Sequence, residues 1–140
     1  MGHQYGRSRA GLYNEAGEFA AALQSAIEAS ARDGETSEMW LERATALAGL
    51  ERYDEAVAGF ERAQDLDAKD AVLDDDMLDD AYFSALLGAA RALTDVGAGC
   101  AKLDRYATRF PSGRHVSDAA DWQKRLRGEL KSTFVKERLE

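Results

Sequence analysis

The 140 residues are the length of one domain, and their 26 acidic and 18 basic side chains give a net charge of −8. This charge argues against binding to nucleic acid or to an anionic membrane surface, because phosphate contacts need clustered Lys and Arg. The hydrophobic share of 45% is enough to build a core. The single cysteine, Cys100, excludes an intramolecular disulfide and fits a reducing compartment.

The N-terminal segment and the hydropathy pattern indicate a protein that is not inserted in a membrane. Residues 1–9 are polar and lack the apolar centre of a secretion signal, and no apolar run reaches membrane-spanning length. The sequence therefore predicts a cytoplasmic protein, or a periplasmic one if a signal or lipid anchor has been removed.

The first forty residues predict two helices and the start of a third. A short helix over residues 8–16 ends at Gly17, and a longer helix follows and stops at Gly34, since glycine is a common helix stop signal. Thr36 or Ser37 then has the side chain needed to cap the next helix.

Residues 38–70 predict two helices back to back. Their apolar pattern also occurs earlier in the chain, at positions 34 residues before. The apolar positions at helical spacing are Trp40, Ala44, Leu47, Tyr53, Ala56, Phe60 and Ala63. The pairs related by this shift are Ala10 with Ala44, Tyr13 with Leu47, Phe19 with Tyr53, Ala22 with Ala56 and Ala29 with Ala63. Small alanines let helix backbones approach, and the aromatic side chains fill the space around them.

These positions resemble the tetratricopeptide repeat (TPR) family in the order of their residue types, in their spacing and in the period of about 34 residues. The resemblance implies an all-α fold, an α-solenoid of about three TPR-like helix pairs plus a C-terminal capping helix. The single domain of residues 1–140 would hold repeats at about 3–36, 37–70 and 80–113 and the capping helix at about 115–138. The pattern departs from the family at Gly6, Ala26, Glu51 and Ala68; a turn glycine is usual at the position of Glu51.

The stretch 65–80 holds eight aspartates against one lysine. We interpret it as an insertion of about nine residues between the second and third repeats. Its aspartates either cap the next helix or dock a basic partner. Beyond it, the pattern predicts helices over 80–93 and 100–110, with a turn through Gly97 and Gly99. A last helix then runs from 116 to near 138, and its apolar stripe is Trp122, Leu126, Leu130 and Phe134.

Residues that could carry chemistry are few, and the sequence predicts neither an enzyme nor a cofactor or metal site. His115 and Asp118 fall on one helical turn, but two ligands do not make a zinc site. Cys100 has no histidine nearby in sequence to act as its base, so we interpret it as structural. Asp65 and Asp67 lack the glycine and final glutamate of a calcium loop.

The TPR resemblance implies a concave groove, lined by the first helix of each pair, that receives a partner protein. By register the groove residues are Arg7, Gly11, Asn14, Glu38, Leu41, Glu42, Thr45, Gly49, Ser84, Gly88 and Arg91. Many of them are small, which leaves room for a bulky side chain. The family's clamp for a terminal carboxylate is absent, because Gly11, Glu42, Ala81 and Ala85 occupy four of its five positions.

The predicted function is therefore a non-enzymatic scaffold or adaptor that binds a partner peptide or helix. The acidic side chains near the second repeat favour a basic, amphipathic partner segment. One alternative is a self-associating structural component of a bacterial envelope or multiprotein assembly. Separately, Phe134 and Leu139 lie beyond the area that one helix pair can cover, so a homodimer in which they contact another copy is possible. The other alternative is a regulatory domain excised from a longer chain.

Overall fold

The computed structural model describes residues 8–128, and all regular secondary structure in that range is α-helical. The helices are α1 (Arg9–Glu15), α2 (Phe19–Asp33), α3 (Ser37–Gly49), α4 (Tyr53–Asp70), α5 (Asp75–Arg91), α6 (Val96–Arg109) and α7 (Val116–Leu126). Each helix packs against the next one along the chain, and α1 also contacts α3, and α3 contacts α5. Within residues 8–128, no helix is both long and apolar enough to cross a membrane.

The α1–α2 and α3–α4 turns have the same backbone hydrogen bonds, displaced along the chain by the repeat period. The amides of Gly17, Glu18, Glu51 and Arg52 donate to the carbonyls of Asn14, Tyr13, Ala48 and Leu47, respectively. Gly17 and Glu51, which hold the same position in the two turns, have φ angles of 77° and 62°. This left-handed conformation suits glycine but strains a residue with a Cβ, so the same turn is costlier at Glu51.

The core is continuous from α3 to α7. Phe60 and Ala63 are buried within it, as their spacing predicts. Trp40 and Tyr53 are only half-buried, although the sequence pattern places them among the space-filling aromatics. The Trp40 indole reaches the protein surface because its N–H donates to the Glu35 carboxylate at 2.6 Å.

Aromatic rings that lie on glycines join α2 to α3 and α4 to α5. Phe19, the first residue of α2, covers Gly49 at the end of α3, and Tyr53, the first residue of α4, covers Gly88 near the end of α5. A Cβ on either glycine would overlap the ring, so only glycine permits this close contact.

The stretch predicted to be an insertion of about nine residues is mostly helical. Only residues 71–74 separate α4 from α5. The Asp74 carboxylate caps α5 by accepting from the amides of Asp76 and Met77, and Asp67 accepts from the amides of Val72 and Leu73. The aspartates therefore act largely as helix caps and as first-turn charges near the positive end of α5.

Two helix boundaries in the C-terminal third also differ from the sequence prediction. Helix α6 begins at Val96 rather than near residue 100, because Asp95 caps it by accepting from the Ala98 amide. Helix α7 ends at Leu126, and Gly128 follows with a φ of 86°. The predicted continuation to residue 138, with Leu130, Phe134 and Leu139, lies outside the described residues. Trp122 and Leu126, the stripe residues within α7, pack against the core.

Candidate functional site

The predicted groove residues that the structure describes belong to α1, α3 and α5. Their exposure and contacts show which of them a partner protein can reach. Glu38, Ser84 and Arg91 are exposed there. Leu41 is only 7% exposed and belongs to the core, so its assignment to the groove is wrong. Arg7 lies outside the described residues.

Asn14 and Glu42 join α1 to α3 instead of facing a partner. The Asn14 side-chain amide donates to the Glu42 carbonyl and to its carboxylate, both at 2.9 Å. Gly11 lies beneath this carboxylate, since a Cβ on it would come within 3.0 Å of Glu42 Oε2. Glu42 is therefore a packing residue as well as a charge, and its replacement by lysine would disturb the α1–α3 contact.

The small groove residues do not provide the open space that the sequence suggests. The side-chain positions of Gly49 and Gly88 are filled by the rings of Phe19 and Tyr53. The Thr45 hydroxyl donates to the Leu41 carbonyl at 2.8 Å, which keeps it on its own helix. The prediction that Gly49 and Gly88 admit an apolar anchor from a partner is wrong, because the rings of Phe19 and Tyr53 occupy that space.

The acidic stretch is mostly engaged within the protein. Asp65 pairs with Arg109 at 2.7 Å, Asp70 accepts from the Ser37 amide at 3.3 Å, and Asp76 pairs with Arg114 at 3.5 Å. The structure gives no partner within residues 8–128 for Asp75 or for Glu38. Glu38 is consequently the strongest candidate for an accessible anionic contact on the α1–α3–α5 face.

A basic and aromatic cluster joins the end of α5 to α7. The guanidinium groups of Arg91 and Arg125 lie 5.1 and 5.0 Å from the ring centroid of Trp122. Stacking on one indole holds two cations on a half-buried aromatic platform. Glu38 on α3 is thus an exposed anion, and Arg91 at the end of α5 is an exposed cation.

A polar network connects α4 with α5 and α6. The Tyr82 hydroxyl donates to Glu61 at 2.6 Å, and Arg105 donates to the same carboxylate. Burial, together with the hydrogen bond to Glu61, raises the pKa of Tyr82 well above its usual range, so the phenol stays protonated. This arrangement is structural, since it ties together α4, α5 and α6.

A second network joins α5, α6 and the loop before α7. Asp79, which is 5% exposed, accepts from the Tyr106 hydroxyl and from the Arg114 amide at 3.1 Å. The Tyr106 hydroxyl in turn accepts from the His115 amide at 2.9 Å. Burial and the bond to Asp79 raise the pKa of Tyr106 to about 12.

His115 completes this second network, and its partners on α5 could not be found from sequence spacing. Its imidazole lies between Asp80, 2.6 Å from Nε2, and Asp118, 2.9 Å from Nδ1. Burial by itself lowers the pKa of His115, but the bonds to the two carboxylates raise it above 6.5 overall. The sequence places Asp118 near His115 because they share one helical turn, whereas Asp80 is 35 residues away.

Comparison with known proteins gave no match: no family model, curated protein or solved structure matches this chain. A function can therefore be proposed from the geometry and the internal repeat of the chain.

Proposed function

We propose that this chain is a non-enzymatic scaffold or adaptor, a TPR-like α-solenoid that binds a segment of a partner protein on the face of α1, α3 and α5. The observation that carries the proposal is the direct contact of α1 with α3 and of α3 with α5. These contacts place alternate helices side by side, as expected of an array of helix pairs with a continuous binding face. The two equivalent turns, with the same hydrogen bonds one repeat period apart, support the same arrangement.

The charges on this face define the partner segment. Glu38 is exposed and would attract a lysine or arginine, while Arg91 and Arg125 would attract an acidic side chain at the other end. We therefore propose an amphipathic segment with a basic end over α3 and an acidic residue near Trp122. Its affinity would come from surface complementarity across the helices, since the glycine positions are filled.

Site-specific photo-crosslinking tests the location of the face. A photoreactive residue at Ser84, exposed on α5, should capture one partner in the cells that produce the protein. The matched control is the same residue at Ala58, which is exposed on α4. Equal capture of the same partner from both positions, or none from Ser84, would contradict binding on this face.

Charge reversal tests the electrostatic part once the partner segment is identified. Glu38→Lys should slow association several-fold at low salt and flatten its salt dependence, because attraction between charged groups mainly raises the association rate. Glu28→Lys makes the same reversal at an exposed position of α2 and should leave the rate nearly unchanged. Thermal melting of both variants checks that folding is retained.

A further inference from the structure

We propose that Asp79, Asp80 and His115 form a binding site for a divalent transition-metal ion such as Zn²⁺, oriented by Asp118. One carboxylate oxygen of each aspartate and a ring nitrogen of His115 all lie within 4.8 Å of one another. Tetrahedral zinc accepts nitrogen and oxygen ligands at about 2.0–2.2 Å, so small side-chain shifts would let all three atoms bond one ion, with water as the fourth ligand. His115 Nε2 and the Asp80 oxygen, now 2.6 Å apart, would move apart as the ion enters between them. This inference is independent of the proposed partner binding.

The surroundings of His115 hold its ring in the orientation that a metal ligand needs. The imidazole stacks on Phe83 with a centroid distance of 4.5 Å and an interplanar angle of 3°. Asp118 lies 2.9 Å from Nδ1 and can accept the proton of that nitrogen, which leaves Nε2 directed at Asp80. A carboxylate that fixes the second ring nitrogen is a regular feature of histidine ligands in metal sites.

The charge of Asp79 is a separate reason to expect a cation. Its side chain is 5% exposed, yet its partners within residues 8–128 are a phenol and a backbone amide, both neutral. Burying a carboxylate without a cation is costly, and a bound metal ion would offset that cost. Each carboxylate oxygen has more than one lone pair, so Asp79 can keep both hydrogen bonds and still contact an ion.

Arg114 is the competitor for this site. Its guanidinium lies 3.6 Å from Asp80 and 3.5 Å from Asp76, so its positive charge opposes the binding of a metal ion at Asp80. This competition can be tested, because removal of the arginine charge should raise the affinity for the metal ion. Loss of a merely structural contact would not raise it.

The experiment is calorimetric titration of the chelator-treated full chain with Zn²⁺ at pH 7.5, with the visible spectrum of the Co²⁺ form as a second readout. We expect one ion per chain, no binding at this stoichiometry by His115→Gln or Asp80→Asn, and binding about 10–100-fold weaker for Asp118→Asn. Arg114→Gln should bind more tightly. His3→Gln changes the other histidine and serves as the matched control, with unchanged affinity.

Two results would overturn the proposal. One is the absence of saturable binding of Zn²⁺ or Co²⁺ by the wild-type chain at one ion per chain. The other is binding that persists unchanged in both His115→Gln and Asp80→Asn, which would place the ion elsewhere. If His115→Gln fails to fold, the Co²⁺ spectrum of the wild type and the paired responses of Asp118→Asn and Arg114→Gln still decide the question.

Discussion

The N-terminal half, α1 to α4, and the C-terminal half, α5 to α7, pack their helices by different chemistry. Most buried apolar residues of the first half are alanines, with Phe60 as its buried aromatic. The second half buries Tyr82, Phe83 and Tyr106 together with the carboxylate of Asp79. The first half is thus held by close backbone approach, and the second by a hydrogen-bonded aromatic cluster. Substitutions in each half separate these two mechanisms.

The largest effect is expected for Phe60→Ala in the alanine-rich half. Phe60 is 2% exposed, and its truncation should lower the free energy of unfolding by about 3–5 kcal/mol, because a large cavity remains in the core. Chemical denaturation measures this change. A loss below about 1 kcal/mol would show that Phe60 is not buried and that the packing of α4 is misassigned.

In the C-terminal half, Tyr106→Phe keeps the ring but removes the donor to Asp79. We expect a loss of about 1.5–3 kcal/mol in the free energy of unfolding, since a hydrogen bond to a charged acceptor is stronger than a neutral one. Tyr13→Phe is the matched change in the N-terminal half. No hydrogen bond of the Tyr13 hydroxyl is seen within residues 8–128, so this change should have little effect. Equal losses in the two variants would erase the contrast between the halves.

The close contact between α2 and α3 in the N-terminal half can be tested at Gly49, since the Phe19 ring lies directly on this glycine. Gly49→Ala should destabilise the protein by about 1–3 kcal/mol, as overpacked sites do. In a Phe19→Ala background the same change should become stabilising, because alanine is the better helix former. A double-mutant cycle by chemical denaturation gives the coupling, and a coupling near zero would argue against the contact.

The two equivalent turns of the N-terminal half give a smaller, paired prediction. Glu51→Gly should raise the free energy of unfolding by up to about 1 kcal/mol, since it relieves a left-handed φ of 62°. Gly17→Ala should lower it by about 1 kcal/mol; a Cβ there meets no atom within 4 Å, so the effect is from the backbone alone. Changes of the same sign in both variants would mean that the turns are not equivalent.

The smallest effect concerns an exposed polar contact of the N-terminal half. The hydrogen bond from Trp40, assisted by Arg62, lowers the pKa of Glu35 below 4.5. A lowered folded-state pKa adds stability above the unfolded-state pKa, and this stability is lost as the pH falls through the folded-state value. Trp40→Phe should therefore weaken the dependence of stability on pH below about 4.5. NMR titration of Glu35 in both proteins checks this, and an unchanged pKa would contradict it.

Local signals predicted most helix boundaries in the N-terminal half, because glycine stops and side-chain caps act over a few residues. Thr36 caps α3 by accepting from the Met39 amide, as predicted. The same signals gave a wrong prediction at Gly97 and Gly99, where a turn was expected but α6 has already begun. The cap of Asp95 outweighs the low helix propensity of glycine there. Asp75 and Asp76 are likewise helical, although the aspartate-rich composition suggested an insertion.

The candidate site was less predictable, because its members meet through tertiary packing. The sequence shows that Gly49 and Gly88 are small, but not that Phe19 and Tyr53 fill the space beside them. It places Glu38 at the surface correctly, since a charge in the first turn of a helix is usually solvated. His115 meets Asp80 only because the loop after α6 brings it back to α5, and no periodicity encodes that return.

The neighbour-to-neighbour contacts of the helices bear on how the chain folds. The principal helix contacts join consecutive helices or helices two apart, so native contacts close short loops. Domains with such low contact order fold within about microseconds to milliseconds. During synthesis, each new helix would find its packing partner already made, and the N-terminal pairs could form before the aromatic cluster of α5 to α7 leaves the ribosome.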